Sequence, residues 1–233
     1  MRIALFGYGK MGKMIEEIAQ KRGHEIVAKV DVGAEDIDYA SMDVAIDFST
    51  PDSAFENITG CFEHGVPVIC GTTGWLDQYN EAVDLCNANK SAFIYASNFS
   101  LGVNIFFELN AHLAKMMSKL NKYKVSMEEI HHTQKLDAPS GTAITLAEGI
   151  INNTAYTSWQ LEASGEKIIP ITSKREGMVP GTHSICYESS VDSIEIKHTA
   201  HNREGFALGA VIAAEWIQGK TGVFSMKDVL NLS

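Results

Sequence analysis

Cysteine is scarce. The chain has four in 233 residues, Cys61, Cys70, Cys86 and Cys186, and no two are close enough to form a C-x-x-C pair. A disulfide-built secreted scaffold carries more of them in a shorter chain, and a structural zinc site needs them in pairs, so both are excluded and buried thiols in a reducing compartment are expected. Proline is equally thin, with five residues and no Pro/Ser-rich linker or low-complexity tract. No apolar run approaches the roughly 18 residues a membrane-spanning helix requires, which excludes a spanning segment of that kind. The N-terminus opens directly on a strand pattern, without a basic region, apolar stretch and cleavage site, so a cytoplasmic location is expected. Basic charge is also short: 19 Lys and Arg against 29 Asp and Glu leave a formal net charge of −10. Such a surface repels nucleic-acid phosphate and anionic lipid. The densest basic run, Lys119, Lys122 and Lys124, is interleaved with Leu120, Asn121 and Tyr123 and reads as a solvated helix end.

What the chain does have is alternation. Arg2–Phe6 is a short apolar run ending in glycine, a buried parallel strand by length and punctuation. Lys10–Gly23 carries Met11, Met14, Ile15, Ile18 and Ala19 at helical spacing, and Glu25–Val30 is a second strand ending at Asp31. The pattern repeats with strands at Val44–Phe48, Pro67–Cys70 and Ala92–Tyr95 and helices at Asp52–Gly65 and Asp77–Asn89. Repeated β-α units predict a doubly wound parallel sheet whose ligands bind at the carboxyl ends of its strands. After about residue 103 the rhythm changes to a long helix, Val103–Leu120, and alternating strands at Tyr123–Ile130, Ser184–Glu188 and Ser193–Thr199. An apolar helix at Gly209–Ile217 closes the pattern. The fold class expected is α/β, a doubly wound dinucleotide-binding domain (1–103 and 207–233) plus a smaller α+β domain (104–206) with an open mixed sheet.

Two stretches carry chemistry. Gly7-Tyr8-Gly9-Lys10-Met11-Gly12 matches G-x-G-x-x-G between a predicted strand and a predicted helix. The first glycine makes the turn, the second admits a pyrophosphate to the backbone, and the third lets helix and strand pack closely. Asp31, 19 residues beyond Gly12, ends the second strand, where a carboxylate accepts from adenosine ribose hydroxyls. A carboxylate there repels a 2′-phosphate, which favours NADH, whereas Lys10 beside the pyrophosphate path would help NADPH.

The second stretch runs Glu129-Ile130-His131-His132-Thr133-Gln134-Lys135-Leu136-Asp137-Ala138-Pro139-Ser140-Gly141-Thr142. Pro139 is expected in the first turn of a helix whose amides, at Gly141 and Thr142, suit an anion such as a carboxylate, with Lys135 adding positive charge. Adjacent histidines on a strand point to opposite faces, so His131 and His132 make a poor chelating pair, and no metal site is expected. Proton transfer by one histidine and anion binding by the other is the functional reading. A related two-domain nicotinamide dehydrogenase and a non-catalytic dinucleotide sensor stay open on the residues alone.

The pattern E-x-H-H-x-x-K-x-D-A-P-S-G-T closely resembles the signature of the 4-hydroxy-tetrahydrodipicolinate reductases, and the resemblance extends over nearly the whole chain. Gly71-Thr72-Thr73-Gly74 resembles that family's nicotinamide-side loop, Ala96–Asn104 its second cofactor loop and hinge, and Gly222–Leu230 its ending. The resemblance implies NAD(P)H-dependent reduction of a cyclic dicarboxylate on the diaminopimelate route to lysine, in a homotetramer. It implies that His131 and Lys135 transfer protons. His132, Lys135, Ser140, Gly141 and Thr142 then hold the substrate carboxylates, and Gly7 to Gly12, Asp31, Gly71, Thr72, Thr73, Ala96, Ser97, Asn98 and Phe99 line the cofactor. Asp31-Val32 stands where the family often has Glu-Arg, and the first glycine loop is one residue shorter than is common, which bears on cofactor preference. Residues 152–182 match loosely, so Trp159, Arg175 and His183 receive no role, Trp159 reading as packing or interface.

Overall fold

The computed structural model describes all residues except Val32, Gly33, Glu35, Ala163, Ser164 and Ser233. Val32, and with it the second half of the Asp31-Val32 departure, lies outside the described residues. The chain forms two compact units, Met1–Leu101 with Glu204–Ser233, and Gly102–Arg203.

The first unit is a six-stranded sheet of β1 (Arg2–Phe6), β2 (Glu25–Val30), β3 (Val44–Asp47), β4 (Val68–Cys70), β5 (Ala92–Tyr95) and β11 (Gly222–Phe224), in the order β11-β5-β4-β3-β1-β2. Every pairing is parallel. Strand alternation divides its side chains between two cores. Ile3, Leu5, Val44, Ile46, Ile69 and Ile94 pack with α1 (Lys10–Lys21) and α6 (Glu204–Trp216) on one face. Ala4, Phe6, Ala45, Val68, Cys70 and Phe93 pack with α2 (Pro51–Glu63) and α3 (Tyr79–Ala88) on the other. Central strands that are apolar on both faces apart from their end residues are what two covered faces demand. β1 lies between β2 and β3, so the chain reverses its winding there, and a crevice opens at the carboxyl ends of β1 and β3. All four cysteines are free thiols; burial pushes those of Cys61 and Cys70 far up, which makes them inert.

The second unit holds most of α4 (Leu101–Met117), then β6 (Lys124–His131), α5 (Gly141–Ile151), β7 (Ser158–Leu161), β8 (Ile168–Arg175), β9 (Gly181–Glu188) and β10 (Ser193–Ala200). Its sheet runs β10-β9-β6-β8-β7 and is mixed: β6 pairs β8 in parallel and β9 antiparallel. Val125, Met127, Ile169, Ile171, Ile185 and Tyr187 on one face bury against Phe106, Leu113, Ala147 and Ile150 of α4 and α5. The other face carries Ser126, Glu128, Thr172, Ser184 and Cys186, all partly or fully exposed. β7 and β8 fall in the loosely matching stretch and escaped the sequence reading, as did β11 and α7 (Met226–Leu230), which are too short to show a period.

Candidate active site

In the first unit the predicted cofactor residues collect at the carboxyl edge of the parallel sheet, on the loops after β1, β2, β4 and β5. The turn at Gly7 is steric in origin. Its φ is +86°, and a Cβ there would lie 2.3 Å from the Phe48 carbonyl oxygen. A Cβ on Gly12 would lie 2.4 Å from the Gly7 oxygen, which is why helix and turn can touch only through glycine. Nothing lies within 4 Å of a Cβ built on Gly9, so the cradle is open above the backbone. Gly9 caps α1 without a side-chain hydrogen bond, and the first turn, Lys10, Met11 and Gly12, holds no acidic residue. The helix therefore keeps its amide donors and positive end for an anion. The amide of Tyr8 donates to Asp31 Oδ1 at 3.0 Å, which fixes the carboxylate beside the turn. Tyr8 is itself clamped: its hydroxyl donates to Glu16 and accepts from Lys29 Nζ at 3.0 Å. These residues fit a dinucleotide.

Beneath the Gly71 loop is a carboxylate the motif reading did not include. Asp47, 1% exposed at the end of β3, accepts from the hydroxyls of Thr72 and Ser49 and from Asn57 Nδ2, the last at 2.9 Å. Burial raises its pKa, and those donors oppose the rise. Gly71 is packed so closely under Phe48 that a Cβ would sit 2.2 Å from the ring. Thr72 is thus an internal brace, whereas Thr73 is exposed. On the neighbouring loop Ala96 donates its amide to the Cys70 carbonyl, Asn98 Oδ1 accepts from the Ser100 amide, and Ser97 is exposed. Phe99 is 2% exposed and joins the core rather than the surface of the loop.

In the second unit the site grows from strand register. Glu129 and His131, two apart on β6, share a face. Pairing sets His183 of β9 and Ser173 of β8 on either side of Glu129, and Arg175 beside His131. The Glu129 carboxylate, 0% exposed, accepts from the Ser140 amide at 3.1 and 3.0 Å on its two oxygens, from Ser173 Oγ at 2.8 Å and from Arg175 Nη2 at 3.1 Å. His183 Nε2 stands 3.7 Å away. Burial favours the neutral acid, but the hydrogen bonds win and hold the carboxyl well below the usual range.

His131 Nδ1 lies 3.4 Å from Glu129 without hydrogen-bond geometry, and its ring meets that of His183 edge-on at 5.0 Å. Burial first, then His183, Lys135 and Arg175, lower its pKa to about 4, against the pull of Glu129. Gly181 leaves room for this ring; a Cβ there would approach its Nε2 to 3.1 Å. His132 follows the strand with a buried Nδ1 that has no hydrogen-bond partner. Lys135 Nζ sits 2.8 Å from both oxygens of Asp137.

Ser140 is the N-cap of α5, and its hydroxyl accepts from the Ala143 amide at 3.2 Å and meets His183 Nε2 at 3.1 Å. With its own amide committed to Glu129, the helix starts at Gly141. Pro139, expected in the first turn, precedes the cap instead, after a cis peptide bond. A Cβ on Gly141 would meet nothing within 4 Å, so the helix start is open there, with Thr142 next in line. Among the described residues, Glu129, His131 and His183 also bring one potential metal-ligand atom each within 4.8 Å of one another. Arg175 and two other donors, the Ser140 amide and the Ser173 hydroxyl, already balance the carboxylate, so this cluster reads as a hydrogen-bonded frame. Glu129, Ser173, Arg175 and His183 are the site residues that sequence reasoning left without a role. Glu129 was visible as the first residue of the motif, and Arg175 and His183 only as residues to which the pattern gave no role; Ser173 was not singled out at all.

Comparison with known proteins bears on both units. The family model described as "Dihydrodipicolinate reductase, N-terminus" matches residues 1–99, and its C-terminal counterpart matches residues 102–230. A 4-hydroxy-tetrahydrodipicolinate reductase of Christiangramia forsetii is 60% identical over 99% of this chain and 98% of its own. One from Neisseria meningitidis serogroup B is 33% identical over 94% of this chain and 84% of its own. Among solved structures, a dipicolinate-bound dihydrodipicolinate reductase from Paenisporosarcina sp. TG-14 superposes with a TM-score of 0.80 at 24% identity, each chain 97% covered. A probable dehydrogenase from Thermotoga maritima shares the fold more loosely, with a TM-score of 0.60 at 11% identity over 98% of this chain and 92% of its own. With both family models matched end to end and a 60% identical relative over almost its full length, this chain belongs to the dihydrodipicolinate reductase family.

Proposed function

We propose the following division of labour for the NAD(P)H-dependent reduction of 4-hydroxy-tetrahydrodipicolinate to tetrahydrodipicolinate, the oxidoreductase chemistry of this family on the diaminopimelate route to lysine. The first unit binds the dinucleotide: its pyrophosphate on the turn Gly7–Gly12, its ribose hydroxyls on Asp31, and its remainder along Gly71–Thr73 and Ala96–Asn98. Phe99 and Thr72 support these loops from beneath. When bound, the reduced nicotinamide supplies the hydride. Asp31 favours NADH over NADPH, because a second negative group beside it is repelled.

The second unit binds the dicarboxylate and handles the proton. Lys135, His132 and the start of α5 at Gly141 and Thr142 hold the carboxylates, and Ser140 seats that helix start through Glu129. His131 and Lys135 deliver the one proton that, together with the hydride, balances loss of the ring hydroxyl as water. His131 is neutral in the free protein near pH 7; a dianion beside it raises its proton affinity, so the acid forms where the substrate is. The observation that carries this reading is the buried Glu129, which gathers His131, His183 and the start of α5 at one end of the second sheet. Assembly as a homotetramer through the half-open face of that sheet, and a cytoplasmic location, complete the proposal. No helix among the described residues is long and apolar enough to cross a membrane.

A coupled assay with dihydrodipicolinate synthase, following NADH and NADPH oxidation separately, tests the function. Substrate-dependent oxidation, faster with NADH, is expected. Lys135→Ala should lower kcat by about 100-fold or more while NADH affinity holds; unchanged turnover removes Lys135 from its role.

A further inference from the structure

We propose that Arg175 is a positioning residue for Lys135, a role that rests on the reading of Lys135 as a catalytic group. Arg175 ends β8, paired in register with His131, and its side chain is 20% exposed. Its guanidinium donates in three directions at once. Nη2 donates to Glu129 Oε1 at 3.1 Å and to the Asp137 carbonyl at 2.6 Å, Nε to the Lys135 carbonyl at 3.3 Å, and Nη1 to the Lys174 carbonyl at 2.8 Å. One planar group thus ties the buried carboxylate under His131 to the two backbone carbonyls that flank Leu136.

The segment it holds has no apolar anchor. Leu136 is 97% exposed, and Lys135 Nζ is paired with Asp137 of the same segment, a contact that travels with the loop. The other backbone ties are at its two ends, from the Thr133 amide to Gly177 at 3.2 Å and the Lys135 amide to His132 at 3.1 Å before Leu136, and from the Ser140 amide to Glu129 after it. The position of the Lys135 side chain relative to His131 therefore depends on the fork of Arg175. A lysine at this position keeps the charge opposite Glu129 but, with a single head group, cannot span both carbonyls and the carboxylate.

Arg175→Lys and Arg175→Ala test this in the full-length enzyme. Both should lower kcat by about 100-fold, the cost of misplacing a reacting group by about 1 Å. NADH affinity, measured by fluorescence titration, should stay within twofold, because the dinucleotide residues lie in the other unit. Ethylguanidinium should restore at least about tenfold of kcat to Arg175→Ala and none to Lys135→Ala, a response that general loss of packing does not produce. Should Arg175→Ala fail to fold with Glu129 left unpaired, the Arg175→Ala/Glu129→Gln double variant removes that charge. It is then compared with Glu129→Gln alone, and an additional loss of about tenfold or more that ethylguanidinium reverses supports the role. Wild-type kcat in Arg175→Lys, or loss in a folded variant without rescue, overturns it. Lys135→Ala run alongside separates the failures. If Lys135→Ala is inactive and Arg175→Lys is fully active, only the positioning role falls; if Lys135→Ala is active, both fall.

Discussion

The two units hold their ligand sites by opposite means. In the first, the cradle is backbone and empty space. Gly7, Gly12 and Gly71 work because a single methyl group at any of them would collide with a neighbour at 2.2 to 2.4 Å. In the second, the site is a set of side chains from β6, β8, β9 and the cap of α5, all tied to one carboxylate with no exposure. A steric cradle fails locally, whereas a buried carboxylate fails with all its partners. The two units should therefore respond differently to substitution: the first through ligand affinity, the second through stability and turnover together.

Glu129→Ala offers the largest test of that contrast. It strands Arg175 and strips the Ser140 amide of its acceptor, so unfolding measured by denaturant should show a loss of about 3–5 kcal/mol. Stability within 1 kcal/mol of the parent would place the carboxylate outside the frame. Gly7→Ala should instead reduce NADH affinity by about 100-fold with a smaller loss of stability, because its φ of +86° and the Phe48 carbonyl deform the turn itself. Equal damage to stability and affinity would erase the distinction between the two sites.

Acid sharpens the comparison further. His131 is held at about 4 by burial and its charged neighbours, while an unfolded histidine titrates near about 6.5. Between those values the unfolded chain binds the extra proton, so stability falls as pH drops from about 6.5 to about 4. Glu129, depressed in the fold, adds stability above the ordinary carboxylate range, and that contribution is lost only at lower pH still. Thermal melts across pH 7 to 4 should therefore show a decline that His131→Gln flattens; an unchanged slope would mean that His131 does not set it. The smallest expected effect is in the first unit. Asp31→Ala should weaken NADH about tenfold and NADPH much less, read from the two KM values, and equal losses would argue against a ribose contact.

How far each region could be read from the sequence follows the same division. The glycine turn, Asp31 and the first five strands are local: the turn and its 19-residue spacing to Asp31 lie within one βαβ unit, and each strand shows as a short apolar run with its own punctuation. Strand β6 and its histidines were equally plain. What could not be read was Glu129 as a hub, because its partners Ser173, Arg175 and His183 come from 44, 46 and 54 residues away, and only the register of β6 with β8 and β9 brings them beside it. Pattern also missed the first-turn boundary at Pro139, since nothing in P-S-G-T says that the Ser140 amide is claimed by a carboxylate eleven residues upstream. Asp47 stayed hidden for a related reason: at the end of an apolar strand it looked like a strand terminus, and its donors lie on two loops and on helix α2.

The fork of hydrogen bonds on Glu129 has a consequence for evolution as much as for chemistry. Four elements of the second unit meet at a single atom pair, so no one of them can drift without the others. A substitution at Ser173 or His183 alone leaves a donor or the acceptor unsatisfied, and the route to a different arrangement runs through intermediates worse than either end. The glycine cradle has no such interlock, and its neighbours, Asp31 among them, can change one at a time. Within this family, cofactor preference should therefore vary between close relatives, while the group that cradles the proton donor changes only as a block.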